Sequence, residues 1–452
     1  MLEKKTRPGF VPEAEQPYKI PQNWRWLQMA TVCNFERGIT FPATAKKRQP
    51  TLENVPCLRT ANVQEELDLD DLIYVDKAYM KSNPAKFTRA DDIIMSSANS
   101  KELVGKVCYV HDIPFPMTFG GFILTIRAKN ADSKYLFYFL RNEFLSGRFM
   151  KEATQTTNIA NINTAKLSRY AFPLPPLAEQ ERIVERIEGL FTKLDAAREN
   201  AQAVVDAFET RKAAILYRAF SGDLTAKWRE THNVGLSDWR KLLLRDIGEI
   251  VTGSTPNTKE KAFYGGSVPF IKPAELNQGR HVARSADTLT DAGKALSRPV
   301  RAGATCICCI GSIGKCGMLD MDAVTNQQIN SVVPYDFMDD VYVYYYCCSN
   351  GFKNALIANS CATTISIINK RKTGLLPIVV PPKAEQQEIA RILDGLFEAE
   401  GQGKQAAELV IEQIDAMKKV VLGRAFRGEL GTNRPGEPPC DIVRTETEGD
   451  SI

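Results

Sequence analysis

Histidine is scarce in this chain: three residues, His111, His232 and His281, in 452. None lies in an HExxH run, and the 11 cysteines form no pair of CxxC hairpins, so zinc chemistry lacks its usual ligand spacing. Neither a G-x-S-x-G elbow nor a glycine-rich dinucleotide loop occurs. No apolar run approaches the roughly 20 residues of a membrane span. Near the start, Lys4, Lys5 and Arg7 lead into Pro8, Gly9 and Pro12 rather than an apolar segment, which speaks against a secretory signal. Irregular cysteine spacing in a long chain fits a reducing compartment. These absences predict a cytoplasmic protein, off the membrane, with no catalytic centre and no metal of its own.

Three stretches come close to chemistry and fall short. Gly311-Ser312-Ile313-Gly314-Lys315-Cys316 ends like a phosphate loop, but Cys309 stands where the first glycine belongs and Cys316 where the magnesium-binding hydroxyl belongs. The plainer reading is a tight turn that presents a lysine. Cys306, Cys308, Cys309 and Cys316 could suggest a metal, but the alternating run Cys306-Ile307-Cys308-Cys309-Ile310 reads more simply as a buried strand of small apolar side chains. Tyr135-Leu136-Phe137-Tyr138-Phe139 and Tyr342-Val343-Tyr344-Tyr345-Tyr346 could stack on bases, yet their recurrence beside apolar neighbours favours a core element.

What the chain does have is a repeat. Pro175-Pro176-Leu177-Ala178-Glu179-Gln180 returns as Pro381-Pro382-Lys383-Ala384-Glu385-Gln386, and Arg218-Ala219-Phe220 returns as Arg424-Ala425-Phe426, both at an offset of 206. A register kept over that length means that the copies fold alike. The proline pair suits a helix entry. Steps of four and three then trace an apolar seam from Ile183 to Ile215, broken at Arg211, and another from Ile389 to Val421, broken at Glu400 and Gly403. Gly222 and Gly428 offer left-handed caps. The pattern predicts two helices on the order of 65 Å long, paired with each other as an antiparallel coiled coil. Antiparallel pairing spares the intervening chain a return along the full helix.

The organisation that follows is an N-terminal tail at 1–22, a globular region at 23–172, a helical spacer and linker at 173–232, a second globular region at 233–378, a distal helical spacer at 379–430 and a disordered tail at 431–452. The fold class is α+β: two repeated α/β domains separated by the two helices. Trp24-Arg25 and Trp239-Arg240 open the globular regions. Weaker echoes follow, Val55-Pro56-Cys57-Leu58 with Val268-Pro269-Phe270-Ile271, Gly105-Lys106 with Gly314-Lys315, and Thr156-Thr157-Asn158-Ile159 with Ala362-Thr363-Thr364-Ile365. Runs such as Ile93-Ile94-Met95 and Ser331-Val332-Val333 read as strands. The net charge is +4. Lys and Arg outnumber Asp and Glu by 20 to 15 in the first region and by 16 to 12 in the second, so the basic excess lies in the globular regions, as a nucleic-acid contact there requires.

The duplicated Pro-Pro-x-Ala-Glu-Gln helix, followed by Leu190-Phe191 and Leu396-Phe397 and joined by Thr325-Asn326-Gln327-Gln328-Ile329-Asn330, resembles the specificity subunit of type I restriction-modification systems. The resemblance covers about residues 23–430. It implies two target recognition domains, each reading half of a split double-stranded DNA site. It also implies that catalysis, with its S-adenosylmethionine, ATP and magnesium, belongs to partner chains: two methyltransferase subunits, with room for two restriction/translocase subunits. Candidate DNA contacts are the polar and basic loop residues Lys46, Lys47, Arg48, Arg59, Asn62, Lys101 and Lys106 in the first region, and Lys272, Asn277, Ser312, Lys315, Asn326 and Gln327 in the second. Leu177, Val184, Phe191 and Val205 lie off the seam; exposed in a bare helix pair, they would form a docking stripe for the methyltransferase subunits. Other classes remain open: a specificity subunit of a methylation-only system, and a coiled-coil scaffold that reads no DNA. A single-chain enzyme that restricts and methylates would need an Asn- or Asp-Pro-Pro-Tyr motif, which is missing.

Overall fold

The computed structural model describes residues 9–155, 159–360 and 366–439. The chain divides into two compact units, Met1–Asn200 with Val410–Ile452, and Ala201–Leu409. The cuts fall inside the long helices. Each unit therefore holds one globular region, the start of its own long helix and the end of the other.

In the first unit a four-stranded antiparallel sheet runs in the order Cys33–Arg37, Ile123–Ala128, Ile93–Ser96, Val107–Tyr109. Ile93–Ser96 is buried along its whole length, which its unbroken apolar run demands of a central strand. A second sheet has the order Ile73–Asp76, Asn54–Leu58, Thr118–Phe119, its last pair parallel. Arg25–Gln28 pairs with Ala171–Leu174, so the first strand of the region closes on its last.

The second unit repeats this plan. Its sheets run Gly248–Thr252, Ile329–Pro334, Thr305–Cys308, Cys316–Met318, and Asp287–Leu289, Tyr264–Ile271, Ala323–Thr325, Pro299–Val300. Arg240–Leu243 closes on Pro377–Val380. The weak sequence echoes fall on matching places: Cys57-Leu58 and Phe270-Ile271 each pair with a parallel strand. Gly105 and Gly314 each turn with a left-handed φ, +84° and +85°, conformations that favour glycine. Gly314 links two antiparallel strands, not a strand to a helix, so the loop is the lysine-bearing turn. The third echo includes residues 156–158 and 362–365, outside the described residues. Cys306, Cys308, Cys309 and Cys316 are all buried.

The aromatic runs form helices, Ser133–Leu145 and Asp340–Cys348, and most of their rings are buried. Asp132 and Asp339 cap them, accepting from the backbone N–H of Tyr135 and Tyr342 at 2.8 and 2.9 Å. The repeated register of the Pro-Pro-x-Ala-Glu-Gln motif has its cause here. Gln180 accepts from the N–H of Asp132 and donates to the carbonyl of Pro175; Gln386 does the same for Asp339 and Pro381. Each glutamine thus ties the start of a long helix to the cap of a core helix, using both ends of a buried amide.

The first long helix is Leu177–Asp206 followed by Phe208–Phe220, interrupted only at Ala207; the second, Lys383–Ala425, is continuous. The second helix runs on unbroken through Glu400 and Gly403, where its apolar seam is interrupted. Glu400 accepts from Arg211 Nε at 2.7 Å, so the two polar breaks in the seams neutralise each other. In the first unit Asp195 pairs with Lys418 at 2.5 Å and Arg198 with Asp415. Residue numbers rise along one helix as they fall along the other, and within each unit the pairing is antiparallel. The seam is patchy: Ile183, Ile187, Ala201, Ile389, Leu393, Ala407 and Ile414 are buried, whereas Ala197, Val204, Val410 and Met417 are exposed.

Both expected tails are corrected in part. Residues 9–22 fold back on the first unit: Phe10 bridges to Leu27, and Tyr18 packs edge-on against Trp26 at 4.9 Å. At the other end, Glu437 pairs with Arg182 at 2.7 Å, so the segment from Gly431 is tied to the start of the first long helix.

Candidate nucleic-acid interface

Each repeat buries one carboxylate at the entry of its long helix. Glu179 accepts from Trp24 Nε1 at 2.9 Å, Asn433 Nδ2 at 2.8 Å and Thr432 Oγ1 at 3.5 Å. Glu385 accepts from Trp239 Nε1 at 2.8 Å, Thr225 Oγ1 at 2.7 Å and Arg229 Nη1 at 2.8 Å. Burial raises the Glu179 carboxyl, while the bonds from Trp24 and Asn433 oppose that shift. The tryptophan that opens each globular region and the segment that follows each long helix therefore meet at one buried acid.

Each unit also carries a cleft at a matching position of the repeat. In the first unit a cleft of about 510 Å³ is lined by Lys106, Arg141, Phe191, Asp195, Arg198, Asp415, Lys418 and Lys419, among others. In the second, one of about 250 Å³ is lined by Glu209, Lys212, Asn277, Lys315, Tyr344, Cys348 and Lys353, among others. Asp415 and Lys418 stand 206 residues after Glu209 and Lys212, the repeat offset. Lys418 Nζ lies 5.2 Å from the ring centre of Phe191, and Lys212 Nζ lies 5.9 Å from that of Phe397, the same pair in each copy. Such contacts hold a cation over an aromatic face. Most cations of the first cleft are already matched: Lys106 by Gln64 at 2.6 Å, Arg141 by Glu65, Lys418 by Asp195 and Arg198 by Asp415. The second sets three lysines against one acid, and among the described residues Lys315 Nζ bonds only to the carbonyl of Pro273, at 3.1 Å.

The candidate contacts divide accordingly. Lys46, Lys47, Arg48 and Lys101 are exposed, and Lys46 shares a cleft of about 380 Å³ with Arg59, itself paired with Asp71 at 2.6 Å. Lys106 is half-buried in its cleft. Asn277, Ser312 and Gln327 are exposed, with Gln327 accepting from Thr255; Lys272 pairs with Asp287. Asn62 and Asn326 are corrected: both are buried. Asn62 accepts from the N–H of Arg59 and donates to the carbonyl of Asp68, and Asn326 is engaged with Gln328. Short polar side chains that satisfy loop backbone are scaffold, and they present nothing to a ligand. Lys212, Arg141, Lys353, Lys418 and Lys419 line the clefts without having been singled out from the sequence; the 206 offset relates Lys212 to Lys418.

The docking stripe also needs correction. Leu177 is exposed and Val205 half-buried, but Val184 and Phe191 are 7% and 8% exposed, inside the core of the first unit. Phe191 meets Tyr138 edge-on at 6.0 Å. The globular region covers the helix start, a contact invisible to helical periodicity. Exposed apolar residues stand elsewhere: Val410, Met417 and Val420 in the first unit, and Val204, Tyr217, Leu396 and Leu409 in the second.

Among the described residues, no group of three or more His, Cys, Asp or Glu could hold a metal ion, and no helix is long and apolar enough to cross a membrane. The architecture defines a class: a duplicated-domain protein in which each copy is anchored to the start of one long helix and the end of the other, and presents basic loops. Residues 21–204 and 236–409 each match the family described as type I restriction modification DNA specificity domain, and the chain belongs to that family. It is 25% identical over 464 aligned residues to the type I restriction enzyme EcoKI specificity subunit of Escherichia coli K12, covering 96% of this chain and 95% of that one. It is 23% identical to the StySPI specificity subunit of Salmonella potsdam, over 94% and 93%. In fold it is similar to the HsdS subunit from Thermoanaerobacter tengcongensis, with a TM-score of 0.62 at 18% identity over 92% of this chain and all of that one. A second structure, from work on assembly and conformational transition of the type I R-M system, gives 0.66 at 18% identity over 91% and 100%.

Proposed function

We propose that this chain is the DNA-specificity subunit of a type I restriction-modification complex, with one target recognition domain per globular region and no catalysis of its own. The observation that carries the reading is the doubled family match on a doubled fold. The recognition domains take residues 23–172 and 233–378, and the long helices act as the spacer. Lys46, Lys47, Arg48, Arg59, Lys101 and Lys106 serve one half-site; Lys272, Asn277, Ser312, Lys315 and Gln327 serve the other. Long cationic side chains suit phosphates, while Asn and Gln amides suit base edges. Two readers on one face of B-DNA sit about one helical turn apart. The target is therefore split by a fixed unread gap of roughly 5 to 8 base pairs.

Two methyltransferase subunits dock on the helices, one per repeat, because a near-twofold repeat presents two equivalent surfaces. Their contacts include Leu177 and Val205, together with the exposed apolar residues of the helices. S-adenosylmethionine, and ATP and magnesium where restriction subunits join, belong to those partners. The test is methylation-site sequencing of the assembled complex after residues 233–378 are replaced by those of a relative. One half-site should change and the other should stay; a continuous target, or both halves changing together, would refute two readers. A complex that methylates without any restriction subunit separates the methylation-only system, and a chain that recruits partners but protects no DNA is a scaffold.

A further inference from the structure

The second cleft differs from the first in a further chemical respect beside its charge balance: it contains thiols. Cys316, at the start of the strand after the Gly314-Lys315 turn, and Cys348, at the end of the core helix, both line it. In the first unit the matching cleft positions hold Val107 and Arg141. Cys316 Sγ lies 3.4 Å from the carbonyl oxygen of Cys347, the peptide that leads into Cys348, so the two side chains are neighbours across the strand–helix contact. Cys347 is fully buried and does not line the cleft.

We infer that Cys316 and Cys348 form a peroxide-sensitive thiol pair, a modification site present in the second recognition domain and absent from the first. Cys348, the more exposed of the two, is the attacking sulfur and Cys316, the buried one, the resolving one. A hydrogen bond from Cys316 holds the Cys348 thiol below the ordinary cysteine range, with further help from Tyr344 and the ammonium groups of Lys212 and Lys353, and against the effect of burial. The same contact, with burial, pushes Cys316 well up. Burial pushes Cys347 well up too, which leaves it inert.

The chemistry balances with hydrogen peroxide as oxidant. The Cys348 thiolate attacks one peroxide oxygen, the O–O bond breaks, and the departing hydroxide takes a proton to leave as water, giving a sulfenic acid. The Cys316 sulfur then attacks Cys348 Sγ; the S–O bond breaks, and the hydroxyl leaves as a second water with the Cys316 proton. Two thiols lose two electrons and two protons, and one peroxide is reduced to two waters.

The bond would fasten the strand to the helix one residue from Lys315. Lys353 packs over Gly314 as well, its Cγ 3.2 Å from where a Cβ would stand, so the lysine-bearing turn lies within reach of the change. Any effect on DNA rests on the function proposed above, but the thiol chemistry does not.

The test is on the full chain: exposure to hydrogen peroxide, alkylation of remaining thiols, and peptide mass mapping with fragmentation. The expected result is a Cys316–Cys348 link two hydrogens lighter than the reduced pair and reversed by dithiothreitol. It should be lost in Cys316→Ser and Cys348→Ser and kept in Cys347→Ser. Alkylation of Cys348 in the unoxidised chain should run at least ~10-fold faster than that of Cys347. Full alkylation of both cysteines after peroxide, or a link from Cys348 to some other cysteine, overturns the inference. The wild-type chain gives the primary readout, so the inference stays open to refutation even where a variant misfolds.

Discussion

The two units solve one problem in two ways. Each buries a glutamate at the entry of a long helix under the indole N–H of the tryptophan that opens the region. In the first unit the remaining donors are neutral, Asn433 and Thr432, and both come from the end of the described chain. In the second, Thr225 is joined by a full positive charge, Arg229, from the short helix Ala226–His232 that follows the first long helix. The duplicated motif of this chain thus buries a carboxylate in both copies, under different counter-groups. The same segment, coming after the same Arg-Ala-Phe end, supplies them each time.

The largest contrast is expected from deleting those acids. Glu385→Ala strands the Arg229 guanidinium, whose side chain is 10% exposed, and breaking a buried pair in this way costs about 3–5 kcal/mol. Glu179→Ala leaves only neutral donors unpaired and should cost about 1–3 kcal/mol. Thermal unfolding of both variants decides it; equal losses would erase the distinction. Next comes the aromatic anchor at each helix end. Phe426 is fully buried among Tyr135 and Phe139, with ring centres 5.2 and 5.4 Å away, whereas Phe220 is half-buried against Tyr342 and Tyr346. Phe426→Ala should cost about 3–5 kcal/mol and Phe220→Ala clearly less. A larger loss at Phe220 would contradict the burial.

The anchors also show what the sequence can and cannot reveal. The repeat, the openings of the globular regions at Trp24-Arg25 and Trp239-Arg240, and the lysine-bearing turns at Gly105 and Gly314 are legible, because each has a local signature that occurs twice. Phe191 and Val184 look exposed on paper because periodicity sees one helix at a time, and the groups that cover them, Tyr138 among them, arrive from another element. Asn62 and Asn326 look like DNA contacts because an amide that binds backbone and an amide that waits for a base are the same residue in a sequence. Arg211 and Glu400 look like flaws until both helices are present.

That last pair gives a smaller test. Arg211 and Glu400 are 36% and 25% exposed, so solvent screens them, and a double-mutant cycle should return about 0.2–1 kcal/mol that shrinks as salt rises. A coupling that ignores salt would mean that the pair acts through packing. For DNA, Lys315→Ala should weaken binding across sequences and lower the salt slope by about 1 if the side chain meets a phosphate. Lys106→Ala should do less, since Gln64 already occupies that ammonium.

The smallest effect is the pH dependence carried by Glu179. Burial raises the Glu179 carboxyl above the ordinary range, although Trp24, Asn433 and Arg182 pull the other way. Between the unfolded and folded values, the native chain then holds more protons than the unfolded chain. The slope of stability with pH follows protons bound unfolded minus protons bound native, and here it is negative. Stability contributed at this site therefore falls as pH rises from the ordinary carboxylate range through the raised folded value, and it is recovered on acidification. Other groups titrate in the same interval, so the comparison is with Glu179→Gln, which cannot titrate. The difference in melting temperature, wild type minus variant, should grow as pH drops from about 7 toward about 5. A flat difference would mean that the three donors fully offset burial, and a difference that shrinks would reverse the sign and make Glu179 a carboxylate stabilised by its neighbours.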